Sequence, residues 1–287
     1  GEDVGVWSGM GISIADSIIF SKIRQKFGGR LKYAVSGSAA LSKEVAEFID
    51  ALGIEVYEGY GLTETSPIAT ANFPGNRKIG SVGKAIPGVT IVIDKAVTGD
   101  AKNGEILIRG PNIMQGYHNR DDENKAVLMA DRTFRSGDMG FVDDDGYLYI
   151  TGRIKEQYKL ENGKYVVPSP LEEELKLSPF IANVMIHGAN KPYNVALVVP
   201  DKAALEKWAA DNGKTLGDFE KSDDVKKVIE DELKKYAKSF KGFERPEKFV
   251  LTAEDFTTDN GMLTPTLKLK RRNVLQKYEP ALDALYN

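Results

Sequence analysis

The sequence predicts a mixed α/β and α+β chain of two units, the first built on a parallel sheet with an appended β-rich subdomain, the second a smaller α+β unit. Three observations carry this: a strand, helix, strand pattern over residues 31–57, a run of short strands with Gly, Asp and Asn turns over 74–152, and a change after Gly152 to charged helices around two apolar strands. A length of 287 residues also suits two packing units better than one. The expected division is 1–152 and 153–287, with the α/β part of the first unit ending at about residue 73 and the β subdomain covering the rest.

Residues 31–36 (LKYAVS) read as a buried strand entering the small-residue turn Gly37-Ser38-Ala39-Ala40. Ser42 is suited to cap a helix with Val45, Phe48, Ile49 and Leu52 on one face, and Gly53 stops that helix before a strand at 54–57. Such an order implies parallel pairing, with ligands at the carboxyl ends of the strands, here 37–40 and 58–65. Short strands follow at 89–94, 105–109 and 147–151, the last after an Asp145-Gly146 turn. The second unit reads as a helix near 170–177, paired strands at 182–188 and 195–199, a helix after Asp201, and a charged helix near 222–240. In that last helix Val225, Val228, Ile229, Leu233, Tyr236, Ala237 and Phe240 form one apolar stripe, and the surrounding Lys and Glu read as a solvated face.

Composition excludes several classes of chemistry. There is no cysteine, hence no disulfide, no Cys-ligated metal and no protein thiol nucleophile. His118 and His187 are the only histidines and have no metal-ligand spacing, so chemistry must rest on Lys, Arg, Asp, Glu and backbone donors. The net charge is -3, and residues 1–152 carry 16 basic and 20 acidic side chains against 23 and 22 in 153–287, so neither part is a nucleic-acid-binding block. The apolar stretch 9–20 is broken by Asp16 and is too short for a membrane helix. A cytoplasmic protein is expected.

The densest signal is YEGYGLTETSP at 57–67, directly after a strand. Glu58 opens the turn, Gly59 and Gly61 permit close backbone approach, Tyr60 could stack on a base, Thr63 offers a hydroxyl to phosphate, and Glu64 could hold a divalent cation. A tight strand-to-loop turn with a solvated Glu explains the same residues equally well. The glycines of 75–88 lack the GxxxxGK[ST] pattern and are read as a structural connection.

This segment resembles the signature of the adenylate-forming superfamily, and further motifs follow in the family's order: SGSAAL at 36–41 upstream, then GSVGKAIPG at 80–88, GEILIRGP at 104–111 with Gly116-Tyr117, FRSGD at 134–138, GRIKE at 152–156 and LTPTLKLKRR at 263–272. Within the superfamily, GYGLTETSP, VVPSPLEEEL and LTPTLKLKRR are most similar to long-chain fatty-acyl-CoA synthetases. The implied fold is the carboxyl-terminal part of a large adenylation domain, comprising parallel α/β sheet and a small β-barrel-like subdomain, followed by a small mobile α+β lid domain.

The resemblance also implies roles. Gly37, Ser38 and Ala39 would lie along the adenine with Glu58, Gly59, Tyr60 and Gly61, and Asp138 would bind the ribose hydroxyls. Thr63 would bind the α-phosphate and Glu64 magnesium. Arg153, Lys155 and Lys159 join the nucleotide-side set, with Lys155 at the interdomain hinge and Glu156 standing where Asp is more usual. Lys268 would be the lysine inserted for adenylation, with Leu267 where the family usually has Gly and Lys270 as a fallback, and Gly163 would line the coenzyme A path. On residue type alone, Asp138 is a turn Asp, Arg153 a surface Arg, Gly163 an ordinary Asn-Gly turn and Lys268 part of a cationic tail.

The implied activity is a long-chain fatty-acid–CoA ligase that uses ATP, Mg2+ and coenzyme A. The family's phosphate-gripping loop, a Thr/Ser/Gly-rich run ending in Pro-Lys-Gly, is not in the 287 residues, so the chain is expected to be a fragment that works with a missing amino-terminal half. The amphiphilic substrate leaves peripheral membrane contact open, and a homodimer is allowed for. A non-catalytic nucleotide-binding remnant and an aryl-acid or amino-acid adenylating ligase stay as alternatives.

Overall fold

A computed structural model describes residues 20–37, 41–97 and 101–287. Two units divide between Thr151 and Gly152.

In the first unit, helix α1 (Ser21–Lys26) precedes strand β1 (Tyr33–Ser36), and Arg24 of that helix donates to the Leu52 carbonyl at 3.0 Å. Ser42 caps helix α2 (Lys43–Ala51), its hydroxyl accepting from the Val45 N–H at 3.2 Å. Gly53, at φ 77°, takes the left-handed conformation that turns the chain into β2 (Glu55–Tyr60). β1 and β2 pair in parallel, Ser36 opposite Glu58, as the strand, helix, strand order predicts. β3 (Thr70–Ala71) and β4 (Lys84–Ala85), neither anticipated, complete a sheet of order β1-β2-β3-β4. β1 is less buried than expected: Val35 is 85% exposed, with Phe27, Leu31, Tyr33 and Phe48 also open to solvent.

The second sheet comprises β5 (Thr90–Asp94), β6 (Gly104–Arg109), β7 (Phe134–Val142) and β8 (Leu148–Arg153), in that order. Among the described residues it stays an open sheet, without the closure a barrel-like subdomain requires; four strands in linear order leave β5 and β8 as edges. Alternation in β6 sends Ile106 and Ile108 into a core with Phe134, Leu148 and Ile113, which Tyr60 and Ala69 join from the first sheet. The short helix α3 (Asp121–Val127) lies between β6 and β7 in sequence.

The second unit opens with a small ribbon, β9 (Tyr158–Lys159) antiparallel to β10 (Tyr165–Val166). Helix α4 (Pro168–Leu175) leads to β11 (Ile181–His187), which pairs antiparallel with β12 (Asn194–Pro200); β12 pairs in parallel with β13 (Pro246–Leu251), which the sequence reading missed. Every residue of β12 is buried because both faces of the sheet are covered. One face, with Ala196 and Val198, packs on α4, α5 (Lys202–Asp211) and α6 (Asp223–Tyr236) through Leu175, Leu205, Val225, Ile229 and Leu233. The other, with Val195, Leu197 and Val199, packs on Val274 and Leu282 of α7 (Arg271–Asp283) and on Phe256, Met262 and Leu263. Asp201 and Ser222 cap α5 and α6 as their positions suggest. Helix α7 was hidden by the basic run that begins it. Among the described residues no helix is long and apolar enough to cross a membrane.

His187, at the end of β11, has its imidazole pKa lowered, chiefly by burial and then by the nearby Arg271 cation. Above an ordinary histidine pKa of about 6.5 both folded and unfolded forms are neutral, so the stability associated with this group is complete. As pH falls below that value the unfolded chain takes up a proton first, and stability is lost down to the folded pKa. Urea unfolding at pH 7.5 and pH 5.5 should therefore show a drop in wild type that shrinks in His187→Gln; an identical drop in both would exclude His187 as its source.

Candidate functional site

The carboxyl ends of β1 and β2 bring the first group of candidate residues together. Gly37 follows Ser36, and Gly59 follows its partner Glu58, so the two glycines are neighbours: a Cβ on Gly37 would lie 3.8 Å from the Gly59 carbonyl oxygen. Ser38 and Ala39 lie outside the described residues. Glu58 is buried, and burial raises its carboxyl pKa against the opposing pull of the Gly80 backbone N–H.

Beyond β2, Gly61 and Leu62 lead into a single 3-10 turn, Thr63–Thr65. Thr65 organises it: the fully buried hydroxyl accepts from the Leu62 N–H at 2.9 Å and stands 3.0 Å from the carbonyls of Leu62 and Pro67. Asn112 laces the loop from outside, its amide donating to the carbonyls of Thr65 at 3.0 Å and Ile68 at 2.8 Å. Neither residue was singled out from sequence. Their effect is to leave Thr63 exposed on the turn and Glu64 half-buried beside it.

Two hydrogen bonds join this loop to residues far along the chain. The Tyr60 hydroxyl donates to the Asp138 carboxylate at 2.7 Å, across a separation of 78 residues. Asp138 is only 4% exposed, on β7, where its own N–H donates to the Ser136 hydroxyl at 3.1 Å. Tyr60 is equally buried, at 7%, and belongs to the apolar core, so its ring is held by packing as well as by the carboxylate. The Tyr117 hydroxyl donates to Glu64 Oε1 at 2.7 Å, while the Glu64 carbonyl accepts from the Met114 N–H at 2.9 Å. Burial and the Glu64 carboxylate together push the Tyr117 phenol up to about 12, so it stays a donor at neutral pH. Tyr117 stands in the Gly116-Tyr117 motif, which was visible in sequence without a role.

The remaining candidates belong to the second unit. Arg153, Lys155, Lys159 and Gly163 are exposed. Gly163, at φ 84°, closes the β9–β10 ribbon, its N–H donating to the Leu160 carbonyl at 2.9 Å, so the Asn162-Gly163 turn is real. The neighbouring Glu156 accepts a hydrogen bond from Ser169 at the start of α4.

Lys268 sits on a tight hairpin that leaves its side chain exposed. The Leu263–Leu269 bridge closes the base; within the loop Thr264 N–H donates to the Lys268 carbonyl at 2.8 Å, and Lys268 N–H donates to the Thr264 hydroxyl at 2.9 Å. Leu267 is held at φ 60° and is 70% exposed. A left-handed non-glycine residue costs roughly 1–2 kcal/mol, partly offset by the greater chain entropy glycine would lose. Leu267→Gly is therefore expected to raise the stability of this unit by about 0.5 kcal/mol in urea unfolding, with Leu267→Ala near wild type; a loss in the glycine variant would mean that the exposed leucine makes a stabilising contact.

At the foot of this loop lies an ion pair between a buried carboxylate and a half-buried guanidinium that sequence reading did not single out. Arg271 grips Glu172 of α4 through one nitrogen at 2.8 and 2.7 Å, and its other terminal nitrogen donates to the Ile186 carbonyl at 2.8 Å. Glu172 also accepts from the Ile186 N–H at 2.7 Å. Burial raises the Glu172 pKa, against the opposing pull of the guanidinium and the amide.

Among the described residues there is no group of three or more His, Cys, Asp or Glu side chains able to cage a metal ion. Glu64 offers one oriented carboxylate, which matches the needs of Mg2+ held mainly by phosphate oxygens and water.

Models of two protein families match the chain: AMP-binding enzyme over residues 13–118, and AMP-binding enzyme C-terminal domain over residues 155–287. The long-chain-fatty-acid–CoA ligase FadD15 of Mycobacterium tuberculosis is 37% identical over 280 residues, which cover 96% of this chain and 45% of the relative. Human long-chain-fatty-acid–CoA ligase 1 is 35% identical over 289 residues, covering 96% and 41%. Among solved structures, the A domain of carboxylic acid reductase from Segniliparus rugosus, in complex with AMP and a co-purified carboxylic acid, matches at TM-score 0.77 and 26% identity, covering 100% of this chain and 43% of that one. The chain thus spans less than half the length of these proteins.

Proposed function

Because the chain belongs to the AMP-binding enzyme family, we propose that it is the carboxyl-terminal portion of a long-chain fatty-acid–CoA ligase, acting with an upstream adenylation segment. In the first step a fatty carboxylate oxygen attacks the α-phosphorus of ATP, the bond to pyrophosphate breaks, and acyl-adenylate forms. In the second, the thiolate of coenzyme A attacks the acyl carbon and AMP leaves. The absence of cysteine agrees with a thiol that arrives on the substrate.

The observation that carries this reading is the pair of long-range bonds, Tyr60 to Asp138 and Tyr117 to Glu64, which organise the loop expected to meet the nucleotide. Asp138 supplies carboxylate oxygens for the ribose hydroxyls, with Tyr60 orienting it. Gly37 and Gly59 offer close backbone approach to the adenine, and Thr63 donates to the α-phosphate. Glu64, aimed by Tyr117, would hold Mg2+, whose chemistry is to neutralise phosphate charge. Arg153 and Lys159 lie on the nucleotide side, Lys155 at the hinge, Gly163 on the coenzyme A path, and Lys268 brings its ammonium to the reacting carboxylate and phosphate. Since Lys268 and the Gly163 turn serve successive steps, the second unit reorients between them. The exposed apolar residues on and around β1 are the face against which the upstream segment packs.

Acid-dependent ATP–pyrophosphate exchange tests the reading in the ligase that contains this chain. Exchange with long-chain fatty acids supports it. Activity confined to aromatic or amino acids would overturn the substrate assignment, and AMP binding without exchange for any acid would overturn catalysis.

A further inference from the structure

We propose that Arg271 and Glu172 are a positioning pair for the loop that carries Lys268. The inference rests on the reading of Lys268 as the adenylation lysine, but the geometry that motivates it is independent of that reading.

The loop is rigid within itself and is aimed from its feet. Thr264 and Lys268 close on each other through both backbone and hydroxyl bonds, Leu267 N–H donates to the Thr264 carbonyl at 2.8 Å, and Lys270 N–H donates to the Met262 carbonyl at 2.7 Å. The first foot, Met262 and Leu263, is buried in the apolar cluster beneath α7. The second is Lys270 and Arg271, where α7 starts without a side-chain cap. The first foot is held by apolar packing and by bonds local to its own segment, Met262 N–H to the Asn260 side chain at 3.2 Å and Leu263 N–H to the Thr257 carbonyl at 2.9 Å, whereas the second ends in a planar guanidinium whose bonds diverge to a carboxylate on α4 and a carbonyl on β11. Glu172 is itself locked to the Ile186 N–H, so both partners are referred to the same strand position. Two residues separate Arg271 from Lys268, and a tilt of the helix start swings the whole hairpin with its ammonium.

An ion pair with a buried carboxylate is weak support for stability, because the cost of desolvation offsets the attraction; its directional fork is better suited to fixing one arrangement among several. The hydrogen bonds of Arg271 and Glu172 go to each other and to the Ile186 backbone. They act through Lys268.

Arg271→Lys keeps the charge and loses the fork, and Glu172→Gln keeps the shape and the Ile186 bond. In the ligase, both variants should lower the adenylation rate by about 10- to 100-fold at saturating ATP and acid, the size expected for a misplacement near 1 Å. Thioester formation from preformed acyl-adenylate should stay within about twofold of wild type, since Lys268 is not used there. Amide exchange at Thr264 and Lys268 should quicken by about tenfold while β11 and β12 keep their protection. Faster exchange throughout the sheet, with both half-reactions falling together, would reduce the pair to a structural support and overturn the proposal. Loosened loop amides with unchanged adenylation would overturn it as well. If Arg271→Lys does not fold, Glu172→Gln decides on the same readings. Lys268→Ala separates the premise from the inference: full adenylation in that variant would refute the role of Lys268, while the exchange pattern would still test whether the pair holds the loop.

Discussion

Lys268→Ala in the ligase is expected to reduce adenylation at least about 100-fold while leaving thioester formation from preformed acyl-adenylate near wild type. As the fatty carboxylate approaches the α-phosphate, two anionic groups meet and negative charge grows on the non-bridging phosphate oxygens. A single ammonium between them lowers that repulsion most where it is greatest, in the five-coordinate state, and it needs no change of protonation to do so. Lys268 is suited to delivering its ammonium because its side chain is exposed on a hairpin held by the Thr264–Lys268 and Leu267–Thr264 bonds. Measuring pyrophosphate exchange and single-turnover thioester formation side by side checks the claim. Equal loss in both steps would remove Lys268 from the specific role, and Lys270→Ala behaving like Lys268→Ala would mean that the basic cluster acts as a whole.

Gly61→Ala is expected to weaken AMP binding by at least about tenfold and to destabilise the first unit by about 1–3 kcal/mol. The cause is space. A Cβ at Gly61 would stand 1.9 Å from the Pro67 carbonyl oxygen and 2.7 Å from the Ile68 Cα, and both atoms belong to backbone that cannot rotate out of the way as a side-chain tip can. Moving that backbone would strain the Thr65 and Asn112 hydrogen bonds that leave Thr63 exposed and Glu64 within reach of Tyr117. Gly163→Ala serves as a contrast, since the nearest atom to its Cβ is a flexible Lys159 carbon at 3.7 Å; there only the positive φ of 84° is strained. Calorimetric AMP titration and urea unfolding of both variants test the difference, and wild-type binding by Gly61→Ala would show that the loop can give way.

Local pattern made much of the fold legible. The Ser42 cap, the Gly53 stop and parallel pairing of β1 with β2 follow from short-range chemistry, as does the stripe on α6. β7 was harder to see, because FRSGD was read for its polar residues although a strand carries Asp138 into the interior. β13 alternates poorly, with Pro246, Glu247 and Lys248 at its start, and becomes a strand by pairing with the fully buried β12. The two-residue strands β3 and β4 have too few side chains to show any period.

For the candidate site the division is sharper. Residue types were enough to single out Glu58, Tyr60, Thr63 and Glu64 in their glycine-containing turn, while Asp138 and Lys268 were named only because their motifs stand in the order of the family the chain resembles. Their partners could not be named in the same way. Tyr60 meets Asp138 across 78 residues, Glu64 meets Tyr117 across 53, and Arg271 meets Glu172 across 99. A hydrogen bond reaches about 3 Å and carries no trace in the sequence between its ends. Chemistry at each position is a local property of the side chain, whereas its aim depends on which distant group the packed sheets and helices bring beside it.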